Sequence, residues 1–229
     1  MASVTIIVPV KDEEVGLRFL LEDYQRSSFA DEHDADFIFV VDGRTSDSSV
    51  AIANQFSQTV IDQSSSHGKG AAIKQAVQSW ISDPSPYVIF MDADGSYGFD
   101  SVSSLIGELQ NGADVVSGSR FLKSSGRPEG MSLLHNFGNK ALSIISSLRN
   151  RRKITDLCTG LWGFKSEALQ KIEIRSDGFD LEAELAGRIR RIGLKHREVP
   201  VDWSQRKGGI SKLRSLTDGT IILIRILFT

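Results

Sequence analysis

Apolar residues follow two rhythms along this chain. Val4 to Val10 (VTIIVPV) is an unbroken, largely β-branched run, which predicts a strand buried on both faces. From Glu13 to Arg26 the rhythm changes, and Val15, Leu17, Phe19, Leu20 and Leu21 recur at helical spacing over a charged face. A second strand follows at Asp36 to Asp42 (DFIFVVD), then a helix from Ser46 to Phe56 with Ser46 and Asp47 as its expected caps. The same alternation predicts a short strand at Val60 and Ile61, a helix from Lys69 to Ile81, and a strand from Tyr87 to Met91. A helix from Ser101 to Leu109 and a strand from Ala113 to Ser117 continue it.

Beyond Arg120 the pattern loosens. A Gly/Ser/Pro-rich loop (Lys123 to Gly130) precedes a helix from Ser132 to Leu148, a strand-like TGLWGF (Thr159 to Phe164), a helix from Asp180 to Ile192 and a strand from Arg197 to Trp203. Strands alternating with helices predict the α/β class, with a mostly parallel, twisted sheet covered by helices on both faces. Function is then expected at the carboxyl ends of the strands. At 229 residues and 40% hydrophobic, the chain can bury one substantial core, so one domain is expected over residues 1–213. Its nucleotide-binding half would span about residues 1–120 and its acceptor half about 121–213. An apolar segment fills 214–229.

Charge adds little to this picture: 27 Lys and Arg against 29 Asp and Glu give no global reason to expect nucleic-acid binding. Cys158 is the single cysteine, so no internal disulfide can form, and no apolar secretion segment precedes the first strand. A cytoplasmic protein is the expectation. The C-terminal run from Thr220 to Thr229 is interrupted by Arg225 and falls short of the ~20 residues of a membrane-spanning helix. It predicts peripheral attachment to a membrane surface, with packing against a second copy or completing the core as the alternatives; the basic run Arg149 to Lys153 could lie beside it, although cations at a helix end are explained by the macrodipole alone.

The richest segment for chemistry is Val88-Ile-Phe-Met-Asp92-Ala-Asp94-Gly95. Two carboxylates spaced by one residue at a strand end can converge on one hard cation, Mg²⁺ or Mn²⁺, which would bridge a diphosphate and neutralise the charge of a departing nucleotide. An acidic turn closed by Gly95 is the competing reading. Asp12, Glu13 and Glu14 follow the first strand and Asp42 ends the second, where carboxylates can accept hydrogen bonds from a base or ribose; for Asp12 and Asp47 helix capping is preferred. The glycines of His67-Gly68-Lys69-Gly70 permit close backbone approach before a helix whose amino end favours a phosphate or acidic group. There is no GxGxxG and no GxxxxGK[ST], which removes support for a dehydrogenase or P-loop ATPase.

The ordered set VPVKDEE, VVDGRTSD, HGKGAAIK, MDADG, SGSR, ITDLCTGLWGF, FDLEAEL and EVPVDWSQRKGGISKL resembles glycosyltransferase family 2. Within it the likeness is to polyprenyl-phosphate sugar transferases, and more narrowly to archaeal dolichyl-phosphate hexosyltransferases. The resemblance implies a single nucleotide-sugar-binding domain of the GT-A type. It implies that Pro9, Glu13, Asp42, Lys69 and Asp92 serve the nucleotide sugar and that Asp92 and Asp94 hold the metal. Arg120 would face the phosphates, Arg206, Ser211 and Lys212 would belong to a loop closing over donor and acceptor phosphate, and Asp156 would lie near the reacting centre. Glu182 would be the more cleft-facing of Glu182 and Glu184, against the alternative that both are solvated. Three departures stand out: Gly43 where the family shows a second aspartate, Gly95-Ser96 where relatives carry glutamine or proline, and His135-Asn136 where an arginine for the acceptor phosphate is expected. His135 is either its substitute or a surface residue.

The implied reaction is inverting transfer of a hexose from a nucleotide-diphosphate sugar, a UDP-sugar ahead of GDP-mannose, to dolichyl or polyprenyl phosphate. A hydroxyl acceptor needs a general base. A phosphate monoester, with a second pKa of about 6, is already largely a dianion and attacks without one. The cations Arg120, Arg206 and Lys212 then offset the repulsion between two phosphorylated substrates, and Asp156 is assigned an orienting role. Three rivals remain: a transferase extending a glycan hydroxyl, a non-catalytic sugar-nucleotide-binding module, and a sugar-1-phosphate nucleotidyltransferase, which would need a Gly-rich, arginine-bearing loop after the first strand.

Overall fold

The computed structural model describes residues 3–57, 59–122, 127–214 and 216–229. Its strands are β1 (Val4–Val10), β2 (Ala35–Asp42), β3 (Thr59–Gln63), β4 (Tyr87–Met91), β5 (Val115–Ser119), β6 (Leu161–Lys165) and β7 (His196–Pro200). They form one sheet in the order β3-β2-β1-β4-β6-β5-β7. β6 runs antiparallel to its neighbours β4 and β5, and every other pairing is parallel. The sheet is therefore mixed but mostly parallel, as the alternating pattern predicts.

Successive residues of β1 show why helices cover both faces. Val4, Ile6, Val8 and Val10 point into one core with α1 (Glu14–Arg26), α2 (Ser28–Glu32), α3 (Ser49–Phe56) and α5 (Phe99–Gln110). Ile7 points the other way, into a core with α4 (Lys69–Trp80), α7 (Ser166–Leu169) and α8 (Leu181–Arg191). A third cluster joins α8 to α6 (Leu133–Asn150) and α9 (Thr217–Phe228) through Ala183, Ala186, Ile222 and Ile226. The chain order reverses between β1 and β4, and a crevice opens at the carboxyl ends of strands at such a point.

Several boundaries differ from the pattern. Helix α3 begins at Ser49 rather than Ser46, because Asp47 spends Oδ1 on the Ser49 N–H and Oδ2 on the Glu14 N–H, tying the amino ends of α3 and α1 together. Asp12 is not a cap of α1: with φ 46° it turns its carboxylate onto the N–H and hydroxyl of Ser46. β5 lies two residues later than expected, and β7 ends at Pro200, leaving Trp203 in an isolated bridge with Tyr97. Helices α2 and α7, of five and four residues, are too short to leave a periodic signature. Part of the expected loop, residues 123–126, lies outside the described residues. Among the described residues no helix is long and apolar enough to cross a membrane.

Candidate active site

At the β1/β4 reversal the carboxyl-end loops enclose a cleft in two parts, of about 400 and 420 Å³. One part is bounded by Pro9, Glu13, Asp42, Lys69 and Glu182; the other runs past Met131, Leu134, Asn139 and Trp203. They share the wall made by Asp92, Asp94, Arg120, His135, Arg206 and Ser211. Every candidate site residue except Asp156 therefore lines this cleft, Lys212 doing so in the first part. Asp156 is 1% exposed and sits behind Arg120.

Asp92 and Asp94 come together through a turn rather than through the pleat of a strand, since β4 stops at Met91. Gly95, with φ +71°, lets that turn close, and Asp94 Oδ1 accepts the Ser96 N–H. Burial raises the Asp94 pKa and the neighbouring Asp92 charge raises it further. Two hard carboxylate donors in mutual repulsion fit a divalent cation. Among the described residues no group of three or more His, Cys, Asp or Glu could hold a metal ion.

The Gly68-Lys69-Gly70 segment does bring another backbone close, but not a phosphate. A Cβ on Gly68 would stand 2.3 Å from the Asp177 carbonyl oxygen, and one on Gly70 2.4 Å from that of Ser176. The Gly70 and Ala71 N–H groups donate to the carbonyls of Gly178 and Asp177, so the amino end of α4 is occupied by protein. What enters the cleft is the Lys69 side chain, 2.7 Å from Asp92 and 2.7 Å from Glu182. Burial opposes its charge, but the two carboxylates outweigh that and hold its pKa above the usual lysine value. Glu184, two residues on, is fully buried and accepts the N–H groups of Arg175 and Ser176. Neither glutamate is a solvated helix residue.

Arg120 is held rather than free. Its Nε and Nη2 each lie 2.7 Å from an Asp156 oxygen, and Nη2 also donates to the Cys158 carbonyl. Asn139 adds a 2.6 Å bond to Asp156 Oδ1, and Glu198 takes the Thr155 and Asp156 N–H groups, fixing the loop. Both Asp156 oxygens are thus committed to Arg120 and Asn139, away from the open cleft. Arg206 donates to Glu13 Oε1, and Lys212 Nζ lies 3.6 Å from the same atom. These contacts tie the Arg206–Lys212 segment to the turn between β1 and α1. Glu13 Oε2 is buried without a partner, and burial raises the Glu13 pKa, outweighing the Arg206 bond that lowers it. His135 lines the shared wall, and its N–H is capped by Ser132.

Asp42 is taken up by Arg44, whose backbone N–H and Nε reach Oδ1 and whose Nη2 reaches Oδ2, at 2.6–2.9 Å. These bonds, Arg44 first, hold the carboxyl far below the usual range. Arg44, Cys158 and Glu198 lie within the motifs, which give them no role, and Asn139 lies outside them; all four are neighbours of the site. For Asn139 a signal existed: Asn139, Ser143, Ser146 and Asn150 form a polar stripe at helical spacing, and it is the buried face of α6.

The Glycosyl transferase family 2 model matches residues 5–173. Glycosyltransferase AglJ of Haloferax volcanii is 29% identical over 225 residues, 98% of this chain and 71% of that protein. The dolichyl-phosphate hexose transferase of the same organism is 28% identical over 220 residues, covering 96% and 90%. The dolichol-phosphate mannosyltransferase of Pyrococcus furiosus is 24% identical over 221 residues, covering 94% and 60%. Glucosyl-3-phosphoglycerate synthase from Mycobacterium tuberculosis, solved with Mn²⁺ and UDP-glucose, superposes at a TM-score of 0.70 with 17% identity, over 99% of this chain and 77% of that one. At that identity the likeness speaks for the fold, a GT-A type α/β domain. Matched by the family model over most of its length, this chain belongs to glycosyltransferase family 2.

Proposed function

We propose that the protein transfers a hexose, with inversion, from a nucleotide-diphosphate sugar to dolichyl or polyprenyl phosphate, a UDP-sugar being the favoured donor. The observation that carries this is the shared wall of the cleft. Arg120 and Arg206, each held in place by a carboxylate, line both parts, so phosphates bound in either part would find guanidinium groups in fixed positions on the wall between them. The relatives named for dolichyl phosphate support that acceptor. In this reading Pro9, Asp42 and Lys69 belong to the donor part, and the unpaired Glu13 Oε2 is available to a ribose hydroxyl or base N–H. Asp92 and Asp94 would hold Mg²⁺ or Mn²⁺, which supplies charge neutralisation at the diphosphate; the solved fold neighbour with Mn²⁺ and UDP-glucose is in keeping with this. Arg120, kept in place by Asp156, Arg206 and Lys212 balance the remaining phosphate charge, and His135 and Ser211 face the acceptor phosphate.

The outer surface supports a membrane-borne acceptor. Helix α6 buries its polar stripe and exposes Leu133, Phe137, Ile144 and Leu148, at 61–76% exposure. Beside it α9 exposes Ile221, Ile224, Leu227 and Phe228. Such an inverted face suits a lipid interface, with Arg149 and Lys153 placed for anionic headgroups.

The acceptor is tested by offering one donor with dolichyl phosphate and, separately, with dolichol. Transfer to the phosphate and none to the alcohol is expected. Transfer to the alcohol, or to a free glycan, would move the protein to a hydroxyl-acceptor reaction.

A further inference from the structure

Lys69 stands between two carboxylates that differ in where they are anchored. Asp92 belongs to the turn after β4 and lies on the shared wall of the cleft. Glu182 belongs to the first turn of α8 and lines the donor part. The ammonium is equidistant, 2.7 Å from each. It is therefore already seated on one of the two carboxylates proposed above for the metal.

We propose that Lys69 is an exchangeable counter-cation of Asp92, and that Glu182 receives its ammonium when a divalent cation and a nucleoside diphosphate enter. The proposal rests on the metal reading of Asp92 and Asp94. An ammonium and a divalent ion on one carboxylate repel each other strongly in a partly buried cleft. One must give way, and the lysine side chain, a point charge on a flexible four-carbon stem, can pivot. Its backbone cannot follow, because Gly70 and Ala71 are bonded to the 177–178 carbonyls and packed against residue 176. The receiving carboxylate rides on the same assembly. Glu184 binds the N–H groups of Arg175 and Ser176, Ser176 bonds Asp180, and Arg225 of α9 holds Asp180. Lys69 and Glu182 thus keep their spacing while Asp92, on a separate strand end, is released to the ion. Glu182 is a positioning residue: it acts on the metal site through Lys69.

The test is Mn²⁺ affinity of the donor-free protein, read from the EPR signal of unbound Mn²⁺, in a double-mutant cycle. Lys69→Met is expected to tighten binding about tenfold, which is ~1.4 kcal/mol, by removing the competing cation. Glu182→Gln is expected to weaken it about tenfold by leaving Lys69 committed to Asp92, yet to change it less than about twofold in the Lys69→Met background. An equal Glu182→Gln penalty in both backgrounds would mean that the two charges act independently, and would overturn the exchange. Asp94→Asn separates the two ideas. If it abolishes Mn²⁺ binding while the Lys69 and Glu182 variants bind as the parent does, the metal reading stands and the exchange fails. If the parent binds no Mn²⁺ even with UDP present, both fail. Should Lys69→Met not fold, a crystal structure of the parent with Mn²⁺ and UDP decides. Lys69 Nζ on Glu182 and beyond hydrogen-bond reach of Asp92 supports the exchange; a retained Asp92 contact overturns it.

Discussion

A Cβ on Gly160 would stand 1.9 Å from Asp92 Oδ2, so the carboxylate that opens onto both parts of the cleft owes its place to a missing side chain. Because the obstacle is the Asp92 side chain, its Cγ only 2.5 Å away, and not backbone, Gly160→Ala should leave the fold standing while displacing Asp92. Transfer is expected to fall about a hundredfold, with the melting temperature little changed, as measured by assay and thermal scan. Asp156→Asn should act oppositely, on stability first. It would leave Arg120, its side chain 11% exposed, without its carboxylate, and chemical denaturation should show a loss of ~3 kcal/mol. His196, stacked on Trp162 and bonded to Ser117, has its pKa pushed down to about 3, chiefly by burial and then by Arg152. A folded-state pKa below the unfolded one means that the unfolded chain binds the extra proton. The stability gained from a neutral His196 is therefore complete above about pH 6.5 and lost as pH falls toward 3. Between pH 7 and 5 the stability advantage of the parent over His196→Gln should shrink by ~2 kcal/mol in denaturant titrations. Little of this was legible beforehand. The motifs named Asp92, Arg120 and Asp156 as residues, but which charge neutralises which is decided by loops that meet only in three dimensions.

Helix α6 shows what pattern can and cannot say about an element. Its helical period placed it at Ser132 to Leu148, close to the observed Leu133–Asn150, yet the period is the same whichever face is buried. The polar face turned inward because Asp156 and the Leu157 and Cys158 N–H groups need partners, which Asn139 and Ser143 supply. With α6 and α9 as a lipid-facing pair, Phe137→Glu with Leu148→Glu should weaken sedimentation with anionic phospholipid vesicles at least severalfold. Both residues are about three-quarters exposed, so the melting temperature should not change. Unchanged vesicle binding would remove these helices from any membrane contact. The amino end of α4 carries the opposite lesson: Gly68 and Gly70 correctly announced close approach, but sequence could not tell a phosphate from the 176–178 backbone that fills the place.

At the scale of the molecule, the mostly parallel sheet was readable because β1, β2 and β4 are continuous apolar runs separated by helical ones. The antiparallel insertion of β6 between β4 and β5 was not, since direction leaves no mark on a five-residue strand with the sequence LWGFK. That insertion places the 156–160 loop across the strand ends from Asp92, where Asp92 N–H bonds the Gly160 carbonyl and Asp156 meets Arg120. The two parts of the cleft are joined there, and in the proposed reaction a nucleotide sugar and a lipid phosphate meet across this join. The most direct measurement is transfer of labelled sugar from a panel of UDP- and GDP-sugars to dolichyl phosphate, with Mg²⁺ or Mn²⁺ and with chelator, counting label in the extracted lipid. Label in the lipid phase that requires the metal is the predicted result, with a UDP-sugar the better donor. Donor binding with no labelled lipid, and label recovered instead on a free glycan, would contradict it.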